Sequence, residues 1–146
     1  MSADPTIIEE IEYRLEDQVG FILRVVSQRH ATIFQKHTNE KLTPTQFSTL
    51  IRLDEVGTVS QNHLGRLAAM DVATIKGVVD RLKAKGFVQS EADPQDKRRS
   101  SISLSKRGAE LITDLKTAGL LITKETLAPL TPREQKTLLS LLSKIS

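Results

Sequence analysis

Asp71-Val72-Ala73-Thr74-Ile75-Lys76-Gly77-Val78-Val79-Asp80-Arg81-Leu82-Lys83-Ala84-Lys85-Gly86, followed closely by Asp93-Pro94-Gln95-Asp96-Lys97-Arg98-Arg99-Ser100, decides how this chain folds. In the first stretch Ile75, Val78, Val79 and Leu82 fall on one face of an α-helix. Asp71 stands in front as an N-cap, and Gly86 behind as the C′ residue, where the absence of a Cβ makes the left-handed conformation cheap. The outward positions are then Val72, Ala73, Thr74, Lys76, Gly77, Asp80, Arg81 and Lys83. The second stretch is polar and basic. It lies between two short, near-alternating runs, Phe87-Val88-Gln89-Ser90-Glu91 and Ser101-Ile102-Ser103-Leu104, and so reads as the tip of a β-hairpin.

Working upstream, Thr43-Pro44-Thr45-Gln46 combines a capping Thr, Pro at N1 and Gln at N3, and announces a helix carrying Phe47, Leu50, Ile51 and Leu53. Ser60 caps a short helix at Gln61-Asn62-His63-Leu64, and Ala69-Met70-Asp71 is a tight turn. Helix, turn, helix and hairpin make a winged helix-turn-helix, whose second helix enters the major groove while the wing reaches the backbone or minor groove. The first turns of that second helix present small and hydrogen-bonding groups able to approach base edges, with cations further along for phosphates. The expected DNA-facing set is Ser60, Gln61, Val72, Ala73, Thr74, Lys76, Gly77, Arg81, Asp96, Lys97, Arg98 and Arg99. Lys76 and Arg81 would by themselves suit ordinary solvated positions; their place directly after the turn favours DNA. His63 is open between a phosphate contact and a solvated site.

The charge distribution agrees. The 146-residue chain has a net charge of +3, yet Lys76 to Arg107 holds nine Lys/Arg against four acids, a net +5 that leaves −2 for the remainder. Charge concentrated in one stretch of a near-neutral chain marks a surface that meets a polyanion. The length suits one domain, and the absence of cysteine excludes disulfides, thiolate metal sites and a cysteine nucleophile. No apolar run approaches the roughly 20 residues that span a bilayer. Met1-Ser2-Ala3-Asp4-Pro5 lacks the order of a secretory signal, so a cytoplasmic protein is expected.

The flanks are helical too. Val19, Leu23, Val26, His30 and Phe34 recur at steps of three or four, Ser105 caps a helix at Lys106-Arg107, and Thr131-Pro132-Arg133-Glu134 repeats the Thr-Pro capping arrangement. From Ser105 onward the chain is leucine-rich, with more apolar positions than one stripe needs, and aromatics are only 3%. Much of that area, and some of the segment before Leu15, is therefore expected to be buried against a second copy. The fold class expected is mainly α with a small β-wing. Residues 41–105 form the winged helix-turn-helix lobe, and 1–40 with 106–146 the dimerisation helices.

These motifs together resemble the multiple antibiotic resistance regulator (MarR) family of transcription factors. The wing carries that family's D-x-R pattern at Asp96 and Arg98, followed by an alternating strand and a Ser cap at Ser105. Val78-Val79-Asp80-Arg81-Leu82 with Gly86 stands where the family's recognition helix ends. The similarity runs from about Leu15 to the C-terminus. It implies a homodimer that reads a pseudo-palindromic operator in double-stranded DNA as a repressor, with Arg98 in the minor groove and Asp96 holding the tip through an ion pair. A guanidinium suits a narrow, electronegative A·T groove. Many relatives have Ser and Arg at the places of Ala73 and Gly77, so this chain has fewer base-reading groups, and its operator is expected to rest more on shape, Thr74 and Lys76.

The resemblance further implies a small-molecule effector, an aromatic acid or phenol, held between the dimerisation helices and the DNA-binding lobe. The stretch Leu15 to His30 is similar to members that control breakdown of aromatic acids, nicotinate-type compounds among them. His30 interrupts an apolar stripe, and a polar group there needs a partner in protein, water or ligand. Arg24 and Ser27 lie on nearby turns, and Phe47 and Met70 are candidate apolar walls for a flat ring. His30 and His37 with Glu40 make a weak metal constellation lacking an H-x-x-x-H pair or thiolate, so neither a metal nor a cofactor is expected. The three histidines supply no convergent acid, base and nucleophile, so no enzyme is expected. The alternatives are a winged helix that binds protein or RNA and a non-specific architectural DNA-binding protein.

Overall fold

Five side-chain caps place the helix starts. In the computed structural model, which describes residues 11–39, 41–96 and 98–146, the side chains of Thr43, Ser60, Asp71, Ser105 and Thr131 each accept from the backbone N–H three residues on. Thr43 with Gln46 and Thr131 with Glu134 form complete capping boxes. After a short 3-10 turn at Leu15–Asp17, the described elements are α1 (Val19–His37), α2 (Pro44–Val56), β1 (Val59–Ser60), α3 (Gln61–Leu67), α4 (Val72–Ala84), β2 (Val88–Ala92), β3 (Ser100–Leu104), α5 (Lys106–Leu127) and α6 (Pro132–Lys144). No described helix is long and apolar enough to cross a membrane.

The wing is a three-stranded antiparallel sheet in the order β1-β3-β2. β2 pairs with β3 from Val88 opposite Leu104 to Ala92 opposite Ser100, while β1 adds Val59 opposite Ile102. The strand β1 was not expected from the sequence. A two-residue strand has no period to read, and Ser60 is legible only as a cap.

Around α4 one core forms from Leu42, Leu50, Leu53, Leu64, Ile75, Val78, Val79, Leu82, Phe87, Val88 and Ile102. Ile112 and Leu115 of α5 also belong to it. The first turns of α5 therefore pack with the winged lobe although they follow residue 105. A smaller cluster of Ile33, Phe34 and Ile122 joins α1 to α5, with Phe47 packed against both clusters.

Two backbone positions fix the orientation of α4. Ala69 takes a left-handed φ of 57°, and the N–H groups of Ala69 and Met70 donate to the carbonyls of Arg66 and Gly65 at the end of α3. This Schellman closure, with Ala where Gly is usual, makes the turn of the helix-turn-helix. At the other end Gly86 has φ 81°, which lets Phe87 turn back into the core.

Candidate nucleic-acid interface and effector side

With Ile75, Val78, Val79 and Leu82 buried, α4 turns Val72, Ala73, Thr74, Lys76, Asp80, Arg81 and Lys83 to solvent, and Gly77 is half-buried. Asp71 holds the helix start through a 2.7 Å hydrogen bond from the Thr74 N–H. That backbone donor, with the Thr74 hydroxyl, keeps the Asp71 carboxyl below its ordinary value. Lys76 Nζ is 3.1 Å from the Asp80 carboxylate, an exposed pair one turn apart. Val72 is 65% exposed. An unpartnered apolar side chain at the first helical position is the shape that meets a thymine methyl group.

At the wing tip Asp96 is the organiser. Its Oδ1 accepts from the Arg98 N–H at 3.0 Å and from Arg98 Nε at 3.3 Å, and its Oδ2 lies 3.8 Å from Arg99 Nε. The Arg98 side chain remains 92% exposed. Asp93 closes the turn by accepting from the Gln95 N–H at 2.9 Å. Lys97 lies outside the described residues.

The wing and α3 face each other across a polar groove lined by Ser60, Gln61, Asn62, Arg66, Arg98, Arg99 and Ser100. Three guanidinium side chains on one concave wall suit the phosphate backbone. Arg66 and Asn62 were missed in the sequence; their four-residue spacing on one helix face was the available signal. His63 is exposed on the same short helix.

The proposed effector residues lie elsewhere. His30 is half-buried, with Nδ1 2.9 Å from the Thr126 hydroxyl. Arg29 donates to the carbonyls of Glu125 and Thr126 at 3.0 and 2.8 Å, satisfying acceptors at the end of α5. Glu125 takes Lys36 Nζ at 2.6 Å and His37 Nε2 at 3.0 Å, and these donors, Lys36 first, hold its carboxyl below the ordinary value. A polar seam thus binds α1 to α5 beside the small cluster. Its pairs span 88 to 97 residues, so no local pattern announces them.

Arg24 lies 5.4 Å over the Phe21 ring, and Ser27 is exposed on the same helix. Phe47 stands edge-on to Phe34 at 5.6 Å. Met70 belongs to a separate groove with Asn62, Gly65, Arg66, Asp71, Val72 and Ile75. One chain therefore gathers Arg24, Ser27 and His30 on α1, and lines a different surface with Met70. His30 and His37 each have a protein partner, Glu40 lies outside the described residues, and among those described no group of three His, Asp or Glu is placed to hold a metal.

The MarR family model matches residues 42–100, the winged lobe with most of its wing. The HTH-type transcriptional repressor NicR of Pseudomonas putida is 37% identical over 139 residues, covering 94% of this chain and 88% of that protein. The chain belongs to the MarR family. Its fold superposes on a crystal structure of a "probable transcriptional regulator" from Pseudomonas aeruginosa with a TM-score of 0.87 at 49% identity, covering 91% of this chain and all of that one. Bordetella bronchiseptica BpsR, a structure concerned with regulation of its DNA binding by 6-hydroxynicotinic acid, gives a TM-score of 0.86 at 34% identity, covering 92% of this chain and 97% of BpsR. As a MarR-family member the chain is a DNA-binding transcriptional regulator.

Proposed function

We propose that this MarR-family chain is a cytoplasmic homodimeric repressor that reads a pseudo-palindromic operator and releases it when a small aromatic acid binds. The observation that carries the reading is that the arginine-rich groove with the Arg98 tip shares Asn62 and Arg66 with a second groove that reaches Val72 at the start of α4. Two such surfaces related by a two-fold axis would take half-sites about one helical turn, ~10 bp, apart. A second copy is favoured by the apolar side chains left outward near both ends of the chain: Val19, Leu23 and Val26 on α1, Leu139 and Leu142 on α6, and Ile145 just beyond it. Residues 1–40 and 106–146 are the proposed dimerisation segments, with the start of α5 shared with the DNA lobe. The reading includes no catalytic step, and the relatives named above are regulators.

For the effector, the support is the likeness to NicR and BpsR together with the α1 face. Arg24, Ser27 and His30 follow at three-residue intervals, a cation, a hydroxyl and an imidazole suited to a ring bearing a carboxylate. The Thr126 bond fixes His30 through Nδ1, leaving Nε2 without a partner among the described residues. Phe47 reaches this side only through its edge-on contact with Phe34, one turn from His30, and otherwise lines a groove with Ser48, Ile51, Arg52 and Glu55; Met70, in another groove, is left out.

A salt titration on duplex DNA tests the first half. Steep loss of affinity with salt, plus preference for one inverted repeat, is expected; salt-sensitive binding without sequence preference would make the protein architectural instead. Light scattering showing a monomer at micromolar concentration would remove the dimer. For the effector, a thermal-shift screen of aromatic acids including 6-hydroxynicotinic acid is followed by DNA binding with each hit, repeated on His30→Ala and Arg24→Ala. Stabilisation untouched by both substitutions rejects this site.

A further inference from the structure

We propose that Arg81 reads a base, its guanidinium laid over the missing side chain of Gly77 so that it meets the paired acceptors of a guanine in the major groove. The inference rests on the DNA-binding reading above and names a specificity-determining residue within it. At about 100° per residue, Ala73, Gly77 and Asp80 sit opposite the stripe of Ile75, Val78, Val79 and Leu82. The centre of the outward face thus carries a methyl group, a hydrogen and a carboxylate. Asp80 is engaged by Lys76 at 3.1 Å. None of the three supplies a free donor.

Arg81 enters this gap from the flank. A Cβ built on Gly77 would stand 3.1 Å from Arg81 Nη1, so one prong of the guanidinium borders the space that a side chain at 77 would claim. Helix side chains lean toward the N-terminus and cover the turn before their own Cα. Arg81 therefore delivers its fork about one turn closer to the start of α4, the end that contacts base edges in a helix-turn-helix. Its guanidinium has no hydrogen bond or ion pair among the described residues. Arg81 reaches back over Gly77 on the outward face. Its planar, two-pronged donor set matches guanine O6 and N7, which a lysine ammonium meets only as a point charge.

The experiment selects binders from a pool of randomised duplexes with the full-length wild type, Arg81→Lys, Arg81→Ala and Gly77→Ala. Competition titrations on single-base variants of the selected duplex follow. Wild type is expected to enrich a guanine at two symmetric positions. Arg81→Lys should lose about tenfold in preference at those positions while keeping the wild-type salt slope. Gly77→Ala should melt higher than wild type, because alanine favours a helix interior, and yet lose preference at the same positions as its methyl displaces the fork. Arg81→Lys matching wild type at every position, with Arg81→Ala weakening all duplexes alike, would make Arg81 a phosphate contact. That overturns this inference and leaves the operator reading intact. A wild type that enriches no position at all overturns both.

Discussion

Gly108→Ala should destabilise the protein by about 1–3 kcal/mol, although alanine is the better helix former. Gly108 is buried in the first turn of α5, where its N–H donates to the Ser105 hydroxyl at 3.1 Å. A Cβ there would drive into the carbonyl oxygen of Phe87, with the Phe87 carbonyl carbon 3.0 Å away. Phe87 cannot yield easily. Its side chain is 2% exposed in the main core, its N–H bonds Leu82 O at 3.0 Å, and its carbonyl accepts from the Ser105 N–H at 3.0 Å. Helix propensity contributes about 1 kcal/mol in favour of alanine. Against it stand about 1–3 kcal/mol for overpacking and about 1 kcal/mol for the weakened Ser105 to Phe87 bond.

The assay is thermal unfolding at one fixed protein concentration, because dimerisation makes the midpoint concentration-dependent. With about 2–4 °C per kcal/mol at this size, the midpoint should fall by roughly 2–12 °C. Gly77→Ala is the control: it has the same propensity gain, and the added methyl meets only the movable end of Arg81. Opposite signs are expected for the two substitutions. The junction also ties α4 to α5, since the Ser105 hydroxyl bonds Gly86 O at 2.6 Å and Arg107 bonds Lys85 O at 3.2 Å while lying over the Phe87 ring. DNA affinity should therefore fall even below the transition. A Gly108→Ala protein as stable as wild type would refute the close approach and the argument built on it.

Ala69→Gly should stabilise by about 1 kcal/mol by relieving the left-handed strain of a Cβ, and an unchanged or lower midpoint in urea unfolding would count against the turn geometry. Arg98→Ala should weaken operator binding by ~1–3 kcal/mol, whereas Arg99→Ala and Lys97→Ala should mainly flatten the dependence of affinity on salt; equal operator affinity for Arg98→Ala would remove the groove assignment. Asp71, Glu125 and Glu134 are held below their ordinary values of 3.8, 4.5 and 4.5 by the Thr74 N–H, by Lys36 and by the Thr131 N–H. A carboxyl lowered in the folded state contributes stability above its ordinary value and loses it as pH falls through the folded one. The midpoint should thus be insensitive to these groups from pH 7 to about 5 and drop below that, with Glu125→Gln showing a shallower drop. A steeper one would contradict the seam.

What the sequence disclosed was chemistry confined to one turn of chain. Each cap needs only a hydroxyl or carboxylate and the N–H three residues later, so Thr43, Ser60, Asp71, Ser105 and Thr131 were legible without any knowledge of the fold. The stripe of α4 was equally plain, because period and face are the same information. Val19, Leu23 and Val26 are different: their spacing defines a face, yet in one chain that face is exposed, and period says nothing about whose surface covers it. The partner of His30 lies 96 residues on, and the posture of Arg81 depends on a side chain that Gly77 does not have.

Phe47 shows the same boundary from the functional side. The spacing rule puts it on a helix with Leu50, Ile51 and Leu53, where it looks like one core residue among several. In the structure it stands edge-on to Phe34 of α1, its Cζ lies 3.2 Å from where a Cβ at Gly119 of α5 would be, and it packs against both clusters. Close-packed interiors pass displacements on rather than absorb them. A change in the spacing of α1 and α5 would therefore be felt at Phe47 and through it at α2, whose Leu50 and Leu53 form part of the core on which α4 rests. A ligand acts on DNA binding only through its different affinity for two arrangements, and Phe47, packed against both clusters, is the contact through which a rearranged α1–α5 seam would reach the core under the recognition helix.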